Sequence, residues 1–241
     1  MNPIQQLVIS LALATGASAT LTFSDTGLGS ALAIPDDHPT GILRTLAVSG
    51  LDVNTRYSLD VALNITGTGD GGLVGDLYAY LAHQTPGGSY DMTVLLNRPG
   101  RSDTQSSGYY DTGLNITLSD SASADIHTYQ SGTYQVDGNG VLSGTWQPDR
   151  RLTSPASVLS SDTRSAATFD DLVYNMAHPN PNGYWYLFVA DMESGATMQL
   201  NSWSVKFSEL SAVPEPASTL GTLGLLSSAL LLRTRRPKRV A

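Results

Sequence analysis

Residues 56–66 read RYSLDVALNIT, and the order of side chains in this stretch decides the kind of fold. Tyr57, Leu59, Val61, Leu63 and Ile65 take every second position, with Arg56, Ser58, Asp60, Ala62 and Asn64 between them. Successive side chains of a strand point to opposite faces, so strict period two describes a β-strand with one face in a core and one toward solvent. A helix needs its apolar residues three and four positions apart.

The alternation recurs in DLYAYLA (Leu77, Ala79, Leu81), DMTVLLN (Met92, Val94, Leu96), GLNITLS (Leu114, Ile116, Leu118), YWYLFVA (Trp185, Leu187, Val189) and SWSVKF (Trp203, Val205, Phe207). Turn-forming clusters separate these runs: GTGDGG, TPGGS, RPGRSD, VDGNG and HPNPNG. Short strands with turn punctuation and no long amphipathic helix predict an all-β protein, an antiparallel β-sandwich. Residues 119–183 are less periodic and read as long connections carrying a few short strands.

Composition agrees. Of 21 acidic residues 18 are Asp, a turn former, and only Glu193, Glu209 and Glu215 are Glu. Five of the thirteen basic residues (Arg233, Arg235, Arg236, Lys238 and Arg239) crowd into the last nine positions, which leaves eight against all 21 acidic ones in the rest of the chain. A body this acidic repels phosphate backbones, so nucleic acid is not an expected partner. With no cysteine there is no disulfide framework, thiolate nucleophile or cysteine-ligated zinc.

Both ends read as sorting segments. MNPIQQ precedes the apolar LVISLALAT and then Ala17-Ser18-Ala19, the small-x-small pattern of a signal peptide over residues 1–19, although the first segment lacks Lys or Arg. A buried first strand or helix is the alternative. At the other end two prolines, Pro214 and Pro216, stop the last strand, an apolar run of about sixteen residues follows from Ala217 to Leu232, and a basic cluster closes the chain. Sixteen residues barely cross a hydrocarbon core that takes about 20, so the tail reads as a transient halt in the membrane, with a stable anchor as the alternative.

Several motifs carry potential chemistry. Gly67-Thr68-Gly69-Asp70-Gly71-Gly72 fits G-x-G-x-x-G, but a pyrophosphate site needs a helix N-terminus next, and LVGDLYAYLA alternates instead. It is expected to be an inter-strand turn. No G-x-S-x-G or H-E-x-x-H occurs, and His38, His83, His127 and His178 fall in turns or at strand ends, so no catalytic residues are assigned. Asn64 and Asn115 head Asn-x-Thr sequons on the polar side of their strands. Calcium is the cofactor this composition favours, because hard cations take oxygen ligands from loop Asp and Asn residues. Asp36-Asp37, Asp70 with Asp76, Asp120 with Asp125, Asp170-Asp171 and Asp191 are the clusters, each equally readable as turn residues.

Three stretches, AIPDDHPTGILRTLAVSG (33–50), GDLYAYLAHQTPGGSYDMTVLLNRPG (75–100) and NPNGYWYLFVADMESGATMQLNSWSVKF (180–207), together resemble the P domain (P/Homo B domain) that follows the catalytic domain of subtilisin-like proprotein convertases and occurs in bacterial secreted proteins. LSDSAS, IHTYQSGTYQ and GTWQPDRRLTSP between 113 and 155 resemble its middle portion. The resemblance implies a jelly-roll β-sandwich over residues 20–210 with Trp185 and Trp203 as core anchors. It also makes Asp76, Asp120 and Asp191 the leading metal candidates. Tyr184, Tyr186 and Phe188 depart from the small or polar outward residues of relatives and make one strand face stickier. Only some thirteen residues lie between the expected cleavage site and Ala33, so no convertase catalytic domain is expected ahead of the module.

The tail 211–241, with Val213, Pro214, Glu215 and Pro216, the short hydrophobic helix and Arg233, Arg235 and Arg236, resembles the PEP-CTERM sorting signal of Gram-negative bacteria that make exopolysaccharide. It implies an exosortase-like processing enzyme as partner and an inner-membrane-tethered precursor that reaches the cell surface or extracellular matrix. The expected function is a non-catalytic exported module binding matrix polysaccharide, protein or calcium. The alternatives are an accessory P domain for a separately encoded subtilisin-like protease, and a calcium-dependent adhesin.

Overall fold

A computed structural model describes residues 19–25, 28–68, 71–174 and 180–210. The signal-peptide segment up to Ser18, His178, Asp70 and the sorting residues Val213, Pro214, Glu215, Pro216, Arg233, Arg235 and Arg236 lie outside the described residues.

The strands are β1 (Thr20–Ser24), β2 (Leu32–Ile34), β3 (Ile42–Val48), β4 (Tyr57–Thr68), β5 (Leu77–Gln84), β6 (Tyr90–Asn97), β7 (Gly113–Ser119), β8 (Gln135–Val136), β9 (Val141–Trp146), β10 (Gly183–Asp191) and β11 (Thr197–Glu209). One sheet of seven strands runs β1-β11-β4-β7-β9-β8, with β2 also on β11; the other runs β3-β10-β5-β6. The expected all-β architecture is present. Its pairing is mixed rather than wholly antiparallel, because β9 lies parallel to β7 (Gly113 opposite Val141, Leu118 opposite Trp146). Parallel neighbours need a crossover of a dozen or more residues, and the aperiodic stretch between Ser119 and Val141 supplies it.

Period two predicts the core well in the long strands. Tyr57, Leu59, Val61, Leu63 and Ile65 are all buried, and so are Trp203, Val205 and Phe207 beside them and Trp185, Leu187 and Val189 on the facing sheet. The sheets meet where the Trp185 and Phe207 rings pack edge-on, centroids 5.6 Å apart. Both tryptophans donate their indole N–H, Trp185 to the Pro181 carbonyl at 3.0 Å and Trp203 to Asp25 Oδ2 at 3.1 Å.

One strand departs from the expectation. Met92 and Val94 pair with Ala82 and Tyr80, whereas Leu96 pairs with Ala79, so a bulge between Ala79 and Tyr80 puts Leu96 on the opposite face from the other two. An extra residue in one strand reverses the alternation beyond it. The connection after β9 runs along β6, Asp149 and Arg150 donating their N–H groups to the carbonyls of Leu95 and Val94. It leads to the five-residue helix α1 (Phe169–Val173), whose Thr168 and Asp171 form a reciprocal capping box.

Candidate functional site

The outward face of the four-stranded sheet follows from register. Tyr184, Tyr186 and Phe188 of β10 pair with Gln84, Ala82 and Tyr80 of β5 on one side, and with Ala47, Thr45 and Leu43 of β3 on the other. Tyr90 of β6 pairs with Gln84, and Tyr78 precedes Tyr80 by one strand repeat. Six aromatic rings therefore share one face, and these strand positions include no charged residue.

The rings touch. Tyr80 and Phe188 stack at 4.8 Å with planes 13° apart, Tyr78 packs on the edges of both at 6.3 Å, and Tyr184 lies 6.4 Å from Tyr186. Tyr186 donates its hydroxyl to Gln84 Oε1 at 2.9 Å. Tyr184 and Tyr90 stay more than half exposed, at 52% and 54%, so the far end of the strip presents ring surface to solvent. Burial, then proximity to Tyr80 and Tyr186, raises the Tyr90 phenol above its ordinary pKa; burial does the same at Tyr78. Both phenols stay neutral at physiological pH.

The strip ends in an open cleft of about 470 Å³ whose wall includes Ala47, Gln84, Tyr184, Thr85, Asn182 and Gly183. The outward side of the other sheet differs in chemistry: Ser58, Asp60 and Ala62 lie opposite Ser208, Lys206 and Ser204, with Lys206 Nζ 2.8 Å from Asp60 Oδ2. The two outer faces are thus one charged and polar, the other neutral and aromatic.

A second constellation sits at the other end of β5 and β10. Asp191 pairs with Leu77, and Met192 donates its N–H to the Asp76 carbonyl at 2.9 Å, so Asp76 and Asp191 are neighbours across two strand ends. Asp76 is carried by a 3-10 turn, Val74–Asp76, held tightly against the next loop: a Cβ on Gly75 would stand 2.2 Å from the Ser107 carbonyl. Both carboxyls are buried, 2% and 0% exposed. Asp76 Oδ1 meets Arg98 Nη2 at 3.4 Å, and Asp191 Oδ1 accepts from the Glu193 N–H at 3.4 Å, while Oδ2 of each has no hydrogen-bond partner.

Burial pushes Asp76 up to about 6, opposed by Arg98 and reinforced by Glu193 and Asp36. Asp191 is pushed up to about 7 by burial, with Asp76 and Asp36 adding to the rise against the Glu193 N–H and Arg98. Arg98 is itself buried and adopts a left-handed φ of 54°; it reaches Glu193 Oε1 at 2.6 Å and the Gly75 carbonyl at 3.0 Å.

Asp120, the third sequence candidate, is held elsewhere. Its Oδ2 accepts from the Phe169 and Asp170 N–H groups at 2.7 and 3.2 Å, so it caps the first turn of α1. Among the described residues no three His, Cys, Asp or Glu side chains form a metal-binding group. Asp76 and Asp191 fit a hard cation as two oxygen donors with orphan atoms, not as a complete cage.

The remaining sequence motifs resolve simply. From Gly71 and Gly72 the chain passes through the 3-10 turn Val74–Asp76 into β5, with no α-helix between them. His38 bonds Thr40 Oγ1 at 2.6 Å, and His83 is buried. His127 Nδ1 lies 2.7 Å from Asp149 Oδ2, and its Nε2 faces the Arg101 carbonyl at 3.0 Å rather than a hydroxyl.

Sequence reasoning missed Arg98 and Glu193 as the charged surround of Asp76 and Asp191, and it placed Asp36 in a cluster of its own rather than beside them. The arginine of the Leu-Leu-x-Arg-Pro-Gly segment was the available signal, since a charged residue inside a buried strand end requires a partner. No protein-family model matches this chain, and no curated protein matches it.

Proposed function

We propose that this chain is an exported, non-catalytic recognition module, a jelly-roll sandwich of the P-domain type, that binds neutral polysaccharide of the extracellular matrix through the outer face of its four-stranded sheet. The observation that carries the reading is the chemistry of that face: six aromatic rings and no charged residue at its strand positions, on a chain whose formal charge is -8. Flat carbon-bearing sugar faces pack on exposed rings, and sugar hydroxyls suit the hydroxyl of Tyr186 and the amide of Gln84 beside it. The cleft adjoining Tyr184 offers a place for one end of a chain.

A non-catalytic role is supported by the surroundings of the His127–Asp149 pair, whose second ring nitrogen is committed to a backbone carbonyl inside the core. Nucleophilic catalysis needs a hydroxyl or thiol at that position. Export, retention through the C-terminal apolar segment and removal of the tail by an exosortase-like enzyme complete the proposal; mass spectrometry of the secreted protein tests them by fixing both termini.

Affinity electrophoresis of the full-length chain tests the binding. Gels cast with neutral glucan or mannan are expected to retard it, gels with an anionic polysaccharide to leave it unretarded, and Tyr184→Ala with Tyr186→Ala to abolish the retardation. Unchanged mobility in every neutral gel would overturn the polysaccharide reading. Co-purification with a secreted subtilisin-like protease would replace it by the accessory-domain reading.

A further inference from the structure

We propose that Asp76 and Asp191 are the side-chain ligands of a single divalent cation of the calcium class, bound where β5 begins and β10 ends. The argument starts from an imbalance inside the fold. Two carboxyls are buried almost completely, and each leaves one oxygen without a hydrogen-bond partner. A buried acceptor without a donor costs about 1–3 kcal/mol, more when charged, so proteins seldom leave two side by side without a ligand to satisfy them.

Arg98 answers only part of the charge. Its guanidinium lies 3.4 Å from Asp76 and 2.6 Å from Glu193, so it is shared, and Asp36 adds a further negative charge felt by both buried carboxylates. Arg98 is the cation that acts on both buried carboxyls, and shared among four carboxylates it leaves room for a divalent ion. Arg98 has five N–H donors and a fixed planar geometry, and it does not reach either orphan oxygen.

The chemistry of the donors selects the ion. Both are carboxylate oxygens, and among the described residues no histidine or cysteine joins them in a metal-binding group, which suits calcium or magnesium rather than zinc or copper. Calcium accepts irregular sets of oxygen ligands completed by backbone carbonyls and water, whereas magnesium demands a near-ideal octahedron. Two protein carboxylates make a weak site of the kind found in extracellular modules, with Kd on the order of 0.1–1 mM. The site joins the end of β10 to the turn before β5 and lies within reach of the 36–41 loop, since His38 donates its N–H to the Asp191 carbonyl at 2.9 Å. Its consequence is a stability that depends on calcium, independent of what the aromatic face binds.

Thermal unfolding of the full-length chain in EDTA and in rising CaCl₂, beside equilibrium dialysis with calcium, tests this. One calcium per chain is expected, with a rise in Tm of about 5–10 °C at a hundredfold excess over Kd and a smaller rise with MgCl₂. Asp191→Asn and Asp76→Asn are each expected to fold and to lose the calcium-induced rise. Asp120→Asn is expected to lower Tm in both conditions yet keep the difference between them. A Tm unmoved by calcium, or a rise that survives both substitutions at Asp76 and Asp191, would overturn the proposal. Loss of polysaccharide binding with the calcium response intact would concern only the aromatic face.

Discussion

The imidazole of His83 lies flat on the indole of Trp185, ring centroids 4.1 Å apart and planes 10° from parallel. The ring is buried, with Nδ1 and Nε2 each 3.0 Å from a carbonyl, those of Leu172 and Asn182. A neutral imidazole has one N–H, so it donates to one of the two and ties β5 either to the α1 helix or to the entry of β10. Burial holds its pKa below the ordinary histidine value, against the pull of both carbonyls.

This fixes a pH dependence. Above about pH 6.5 the ring is neutral in both folded and unfolded chains. Below it the unfolded chain takes up a proton that the folded ring resists, so the His83 contribution is lost as pH falls. His83→Phe, which keeps the stacking, is expected to cost about 1–2 kcal/mol at pH 8 and to flatten the decline below pH 6.5. Urea unfolding of both proteins from pH 8 to pH 5 checks it.

Asp191 contributes with the opposite sign. Its folded pKa of about 7, and that of Asp76 near 6, lie above the ordinary carboxyl value, so in the absence of divalent cations their contribution to stability is fully present below about pH 4 and is lost as pH rises through 6 to 7. Asp191→Asn removes the charge and keeps an oxygen for the Glu193 N–H. In EDTA at pH 8 it is expected to be more stable than wild type by about 1–3 kcal/mol, with a flatter profile between pH 5 and pH 8. A less stable variant under those conditions would show that the ionised pair is already satisfied.

Asp25 holds the edge of the sandwich through Arg44 and Trp203. Its Oδ2 accepts from Arg44 Nε at 2.7 Å and from the Trp203 indole at 3.1 Å, and its Oδ1 from Arg44 Nη2 at 3.1 Å. Asp25→Ala leaves a buried indole N–H and a part-buried guanidinium without these acceptors. The expected cost is about 2–4 kcal/mol, read as a lower urea midpoint with an unchanged slope.

Gly75 sets the height of the turn that carries Asp76. An added methyl group would stand 2.2 Å from the Ser107 carbonyl and 2.7 Å from the Tyr109 nitrogen, both backbone atoms with little freedom to retreat. Gly75→Ala is expected to cost about 1–3 kcal/mol and to weaken the calcium-induced rise in Tm, since it shifts Asp76 away from Asp191. Differential scanning calorimetry with and without calcium separates the two effects.

The aromatic face was legible in part. Tyr184, Tyr186 and Phe188 stand out as an outward row on one strand, but Tyr78, Tyr80 and Tyr90 join them only through the register of three strands, which the local pattern does not state. The acidic candidates divided for the same reason. Asp76 and Asp191 lie 115 positions apart and meet across a strand pair, while Asp120 caps a helix that starts 49 residues later. Arg98 follows a run of buried strand residues, a signal that it needs a partner, but which carboxylates it meets depends on the tertiary structure.

The chain by itself determined the strand faces. Side-chain direction alternates along any extended backbone, so Leu59, Val61 and Leu63 were committed to a core before any partner was known, as were Trp185 and Trp203. Which strands lie side by side was a different matter. The parallel β7–β9 pair, the bulge that turns Leu96 away from Val94 and the meeting of Asp76 with Asp191 each depend on contacts between residues remote in the chain. Those contacts form when closing long loops is repaid by burying both sheets against one another, a free energy that belongs to the assembled core and to no local stretch of it.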